Sequence, residues 1–97
     1  MIQAFKGTGT EDIFNGVDSK AARKTCPQNA WKVARRKLEL LDSAAQLREL
    51  AVPPGNGLEQ LSQDRAGQHS IRINDQYRVC FVWSDAGPTG VEVVDYH

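Results

Sequence analysis

The chain has 97 residues, with 12 lysines and arginines balanced by 12 acidic residues and 40% hydrophobic residues. That length supports one domain around one core, and the zero formal charge excludes a globally basic nucleic-acid binder. No run is apolar and long enough for a signal peptide or a membrane span. Cys26 and Cys80 have no metal-site spacing and read as reduced thiols of a cytoplasmic protein, so neither a metal nor a cofactor is expected. The charge is nonetheless uneven. From Ser19 to Leu38 the chain carries Lys20, Arg23, Lys24, Lys32, Arg35, Arg36 and Lys37 and no acid. Such a block is a local phosphate-facing patch, a solvated helix face, or a surface for an acidic protein partner.

In chain order, Met1 to Lys6 alternates weakly and predicts a short first strand. Thr8 or Thr10 offers an N-cap to a short helix with Glu11 and Asp12 in its first turn, and Gly16 closes it. Val17 to Cys26 is expected to be irregular or weakly helical. Pro27 then stands where helices begin. Trp31, Ala34, Leu38, Leu41 and Ala45 recur at helical spacing, predicting an amphipathic helix over Gln28 to Ala45 whose stripe is core. AQLREL adds at most a turn, and Pro53-Pro54-Gly55-Asn56-Gly57 stops regular structure. Leu58 to Leu61 resumes a short extended piece, and Asp64-Arg65-Ala66-Gly67 turns.

The stretch from Gln68 to Trp83 organises the chain. Its odd positions (His69, Ile71, Ile73, Tyr77, Val79, Phe81, Trp83) are mostly apolar and its even ones (Ser70, Arg72, Asn74, Gln76, Arg78, Cys80) mostly polar. That is a hairpin with one buried and one wet face, on which His69 reads as a packed core histidine. A two-residue turn at Asn74-Asp75 would set Ile71 against Arg78. A three-residue turn through Gln76 pairs Ile71 with Val79, His69 with Phe81 and Arg72 with Arg78, keeping the apolar side chains together. It also opposes two like charges. Either the side chains splay or find carboxylates, which the pattern favours, or a bound anion such as phosphate relieves them. On this view Arg78→Ala costs little stability. Ser84 to Gly90 is expected to be a loop, and Val91 to Val94 a last strand of ambiguous facing. The sum is an α+β domain, with an N-terminal strand and helices on one face of a small, mainly antiparallel sheet.

The segments IQAFK, WKVARRKLELLD, VPPGNGLEQL, DRAGQHSIRINDQYRVCFVW and VEVVDYH, in that order, resemble the HigB branch of the RelE/ParE toxin superfamily, the plasmid maintenance killer proteins. The resemblance spans residues 1–97 as a single RelE-like domain. It implies a toxin neutralised by a helix-turn-helix antitoxin of the HigA kind, and for many members cleavage of mRNA on the translating ribosome. Asp95, Tyr96 and His97 match the terminal motif tied to cleavage, and Arg78 matches a hairpin arginine near the scissile phosphate. Gln76 stands where relatives carry a base-contacting asparagine. Glu59 stands where some relatives place a histidine, and Ser62 where they place a lysine. The implied catalytic set is His97, Asp95, Tyr96, Arg78 and Glu59. Arg72, Gln76, Arg65, Lys32, Arg35 and Arg36 would meet RNA. Two other readings stay open: a toxin of the same fold that binds its target without cutting, and a gyrase inhibitor of the ParE type.

Overall fold

A computed structural model describes residues 1–95. Helices α1 (Thr8–Asn15), α2 (Lys20–Thr25) and α3 (Trp31–Ser43) precede four strands, β1 (Glu59–Gln60), β2 (His69–Arg72), β3 (Tyr77–Ser84) and β4 (Gly87–Asp95). The strands form one antiparallel sheet in the order β1-β2-β3-β4. The expected α+β architecture is the one observed.

The β2–β3 hairpin has the register that the apolar pattern requires: Ile71 opposes Val79, His69 opposes Phe81 and Arg72 opposes Arg78. Asn74 fixes the turn, its Oδ1 accepting from the Gln76 and Tyr77 backbone N–H groups at 2.9 and 2.8 Å. Ile71, Val79, Phe81 and Val93 face the helices and bury against Ala34, Leu38 and Leu41 of α3. His69 is half-buried and lies on Phe81 with ring centroids 6.2 Å apart. Its Nδ1 is enclosed without a hydrogen-bond partner among the described residues.

Several local expectations change. The opening segment makes one parallel bridge, Phe5 to Val91, rather than a regular strand. Its ladder is short because Pro88 of β4 has no N–H to offer, and Gly7 (φ 95°) turns the chain into α1. Gly7, not a threonine, occupies the N-cap of α1, while Gly16 closes the helix in the left-handed region as expected. The Thr10 hydroxyl instead accepts the Val93 N–H at 3.0 Å. Residues 20–25 are fully helical because Ser19 caps them, accepting from the Ala22 N–H and donating to Asp12. The main helix opens with a 3-10 turn at Gln28–Ala30 and ends at Ser43, so Ala44 rather than Ala45 completes the buried stripe. The Pro-Gly segment is not devoid of structure, since Pro54–Asn56 makes a 3-10 turn.

The expected loop at 84–90 is a tight hairpin. β3 and β4 pair through Ser84 and Gly87, leaving Asp85 and Ala86 as the turn. Between Cys80 and Val82 the register slips. There Gly90 (φ 59°) and Val91 together oppose Phe81, a bulge that returns Val91 and Val93 to the core side. This accounts for the irregular alternation of the valines.

Thr10→Val keeps the shape of the side chain and removes the acceptor of the Val93 N–H. Urea denaturation should show a loss of about 1–3 kcal/mol, as for a buried donor left without a partner. Both cysteines are buried free thiols, and burial pushes Cys26 from 9.0 up to about 11 and raises Cys80 as well. A thiol whose value rises on folding lends stability below its unfolded value and loses it as pH climbs. Cys26→Ala should therefore flatten the fall in unfolding free energy between pH 9.0 and about 11. In the folded protein neither thiol should react with Ellman's reagent at mildly alkaline pH, whereas both should in concentrated guanidinium chloride.

Candidate functional site

The strand pleat puts Glu59, Ser70, Cys80 and Glu92 in one cross-strand row on the side of the sheet away from α3, with Arg72, Arg78 and Val94 in the next row. This face is not uniformly wet. Ser70 and Cys80 are completely buried. Arg65, drawn over the sheet by its 3.0 Å ion pair with Glu92, and the Arg78 side chain lie beside them.

Arg72 and Arg78 are directly opposite, and each has a partner that offsets the repulsion. Arg72 is exposed and pairs with the Asp75 carboxylate of the turn. Arg78 is half-buried; its Nε donates to Ser70 Oγ at 2.8 Å and its Nη2 to the Gly57 carbonyl. Gly57 adopts φ 57°, and a Cβ there would lie 3.5 Å from Arg78 Nη2 and 3.7 Å from Arg72 Cβ. The loop backbone thus runs against both arginines.

The neighbouring residue, Asn56, is a fully buried polar side chain. Its Nδ2 donates to the Leu50 and Val52 carbonyls, both at 3.2 Å, and its Oδ1 accepts from Lys37 Nζ at 2.6 Å. Burial, and after it the nearby Arg36 and Arg72, hold the Lys37 ammonium below the usual lysine range. Lys37 belongs to the basic block of the sequence, but nothing local there couples it to a hairpin over thirty residues away. The burial of Asn56, an amide flanked by glycines, was the missing signal.

The other cations divide. Two residues turn a helix by about 200°, so Arg35 and Lys37 leave α3 on opposite flanks. Lys32, Arg35 and Arg36 border a cleft of about 690 Å³ that Ile13, Val17, Trp31, Asp18 and Glu39 also line. Trp31 donates its Nε1–H to the Cys26 carbonyl at 2.9 Å. Glu59 is exposed on β1, directly opposite the Ser70 that holds Arg78. Asp95 ends β4 on the Tyr77–Val79 side of the pleat and accepts from Gln76 Nε2 at 3.1 Å, closing the hairpin tip over the strand end. Tyr96 and His97 lie outside the described residues. The structure therefore sets Arg72 and Arg78 side by side, with Glu59 one row away across Ser70, and adds Lys37 through Asn56. It leaves Asp95 with Gln76 at the strand end on the other side of the pleat, and sets Lys32, Arg35 and Arg36 apart.

Comparison with known proteins bears on what carries this face. Residues 3–97 match the family model described as "RelE-like toxin of type II toxin-antitoxin system HigB". The chain belongs to the HigB-like toxin family. It is 39% identical to Toxin HigB-1 of Vibrio cholerae over 85 residues, covering 88% of this chain and 86% of that protein. It is also 36% identical over 59 residues to an uncharacterised protein of Haemophilus influenzae, covering 61% of this chain and 58% of that one. As a type II toxin of the HigB family, it has an antitoxin as its partner. The α+β fold is compatible with the RelE-like architecture, and among the described residues no helix is long and apolar enough to cross a membrane.

The anchoring of Arg78 reverses the sequence expectation for its removal. Arg78→Ala takes away a repulsion, but it also leaves the buried Ser70 hydroxyl and the Gly57 carbonyl without their donor. The net effect should be a loss of about 1–3 kcal/mol in urea denaturation. Arg72→Ala, by contrast, should stay within about 0.5 kcal/mol of wild type, because its partner Asp75 is fully in solvent.

Proposed function

We propose that this toxin is an endoribonuclease that cuts mRNA on the translating ribosome in the cytoplasm, stopping protein synthesis until a HigA-like helix-turn-helix antitoxin neutralises it. The observation that carries the reading is the pair of arginines set opposite one another on the side of the sheet away from α3. Two such groups side by side suit a phosphodiester, whose anionic oxygens accept bidentate hydrogen bonds. Membership of the HigB-like family supports the same reading.

Cleavage needs three things: a base that takes the proton of the 2′-hydroxyl, charge stabilisation as that oxygen attacks phosphorus, and an acid that protonates the departing 5′-oxygen. The products are a 2′,3′-cyclic phosphate and a 5′-hydroxyl, with no external water or oxidant consumed. His97 is assigned proton transfer because imidazole titrates near neutrality. Glu59 serves as the carboxylate base, and Asp95 orients His97 or keeps it protonated. Well-placed acid–base groups contribute about 10²–10⁴-fold. Arg72 and Arg78 hold the phosphate and stabilise the charge that develops on it, an effect of about 10²–10³-fold per donor at preorganised sites. Tyr96 stacks on a base, Gln76 meets a base edge, and Arg65 flanks the path of the backbone.

Glu59 and Ser62, standing where some relatives carry histidine and lysine, favour a second reading in which the toxin holds its target without cutting. A primer-extension map of cellular mRNAs after expression separates the readings. Discrete cuts that vanish when translation is blocked are expected. Growth arrest without cuts would leave the binding toxin, and DNA breaks without cuts the gyrase inhibitor. Arg72→Ala should fold and lower cleavage by about 10²-fold, and His97→Gln should abolish it.

A further inference from the structure

Lys37 is a cation beside the hairpin arginines that the cleavage scheme leaves unused. It comes from α3 to Asn56, while from the hairpin the Arg78 guanidinium reaches the Gly57 carbonyl and the Arg72 Cβ lies against Gly57. We infer that Lys37 is a third phosphate-binding residue of the hairpin site, its ammonium aimed by the buried Asn56 amide at the anion that Arg72 and Arg78 hold. The inference rests on the nuclease reading for the identity of its ligand, a phosphodiester of RNA.

Three observations support it. First, three cations of this region have carboxylates: Arg72 has Asp75, and Arg65 and Lys6 share Glu92. Arg78 donates instead to the Ser70 hydroxyl and the Gly57 carbonyl. Lys37 makes no ion pair among the described residues, and its neighbour is a neutral amide oxygen. An ammonium has three N–H donors, and Asn56 Oδ1 takes one, which fixes direction without cancelling charge. Second, the amide cannot rotate away. Both Nδ2 hydrogens are committed to backbone carbonyls of its own loop, so Oδ1 is the atom turned towards α3. Third, burial and, after it, the neighbouring Arg36 and Arg72 guanidiniums lower the Lys37 ammonium from its usual range, so two further positive charges lie close to it. An anion placed among these groups would offset their mutual repulsion. The bland alternative is a staple, in which Lys37 merely fastens the Pro-Gly loop to α3. The two differ in what removal of the ammonium does to anion affinity.

The test is a titration of the full chain with inorganic phosphate at constant ionic strength, followed by NMR at the Lys37 Cε–Hε, Asn56 side-chain amide and Arg78 Nε–Hε resonances. Wild type should show one saturable transition at all three. Lys37→Met, which keeps most of the side-chain length, should bind about tenfold more weakly, as for loss of one charge-assisted hydrogen bond. Lys37→Arg should retain binding. Equal affinity in wild type and Lys37→Met overturns the inference, as does a transition seen at Arg78 that leaves the Lys37 resonances still. Should Lys37→Met not fold, the wild-type Lys37 resonances decide alone. Failures of the two proposals are distinguishable. Phosphate binding through Lys37 in a protein that cuts no mRNA refutes the nuclease and keeps the site. Wild-type cutting by Lys37→Met refutes the role of Lys37 and keeps the nuclease.

Discussion

Two arginines facing each other across a hairpin cost energy, and most of the surrounding structure can be understood as what holds them there. The register is forced from the other side of the sheet. Ile71, Val79 and Phe81 reach the core together only if the turn takes three residues, and the same pairing then sets Arg72 against Arg78. A slip of one residue would separate the charges but expose the core residues. Burial of several large apolar side chains, at about 1.5–3 kcal/mol each, far exceeds the repulsion of two partly solvated cations. The charged pair is therefore imposed by the core and then made tolerable locally, by Asp75 for one arginine and by Ser70 and Gly57 for the other.

The loop from Leu50 to Gly57 links the two layers at this point. Proline and glycine make it irregular, which leaves backbone carbonyls at Leu50 and Val52 needing donors in a buried setting. Asn56 supplies both donors from one amide, and its remaining oxygen reaches Lys37 on α3. Gly57 follows in a left-handed conformation that brings its carbonyl under Arg78. Replacing Asn56 by an apolar residue of similar size would leave those carbonyls unsatisfied and cut Lys37 loose at the same time.

Edges are managed in the same economical way. β1 is only two residues long, and its exposed Glu59 and Gln60 offer little ladder to a second chain. On the opposite side, the outward-facing backbone of β4 is occupied at three points by residues 3–6 and once more by Thr10. Both edges of the sheet thus offer little backbone for strand addition, while Arg72 on its outer face stays exposed. Meanwhile α3 turns Lys32, Arg35 and Arg36 towards a separate cleft, so the basic block serves two surfaces rather than one.

How much of this was written locally can be judged residue by residue. Alternation from Gln68 to Trp83 determined the hairpin, its three-residue turn and the opposition of Arg72 and Arg78, because a strand's inside and outside are decided by parity alone. Helical spacing from Trp31 to Leu41 determined α3, because one apolar stripe permits only one buried face. Spacing could not reveal the strand pairing through Pro88 and Thr89, since glycine and proline there read as a loop until Gly90 absorbs the bulge. Nor could it show that Ser70 and Cys80, polar by parity, are covered by side chains from elsewhere. The meeting of Lys37 with Asn56, and of Gly57 with Arg78, was decided only when α3 and the hairpin packed on each other. Contacts between residues about twenty positions apart depend on how whole elements dock, and no local pattern encodes that distance.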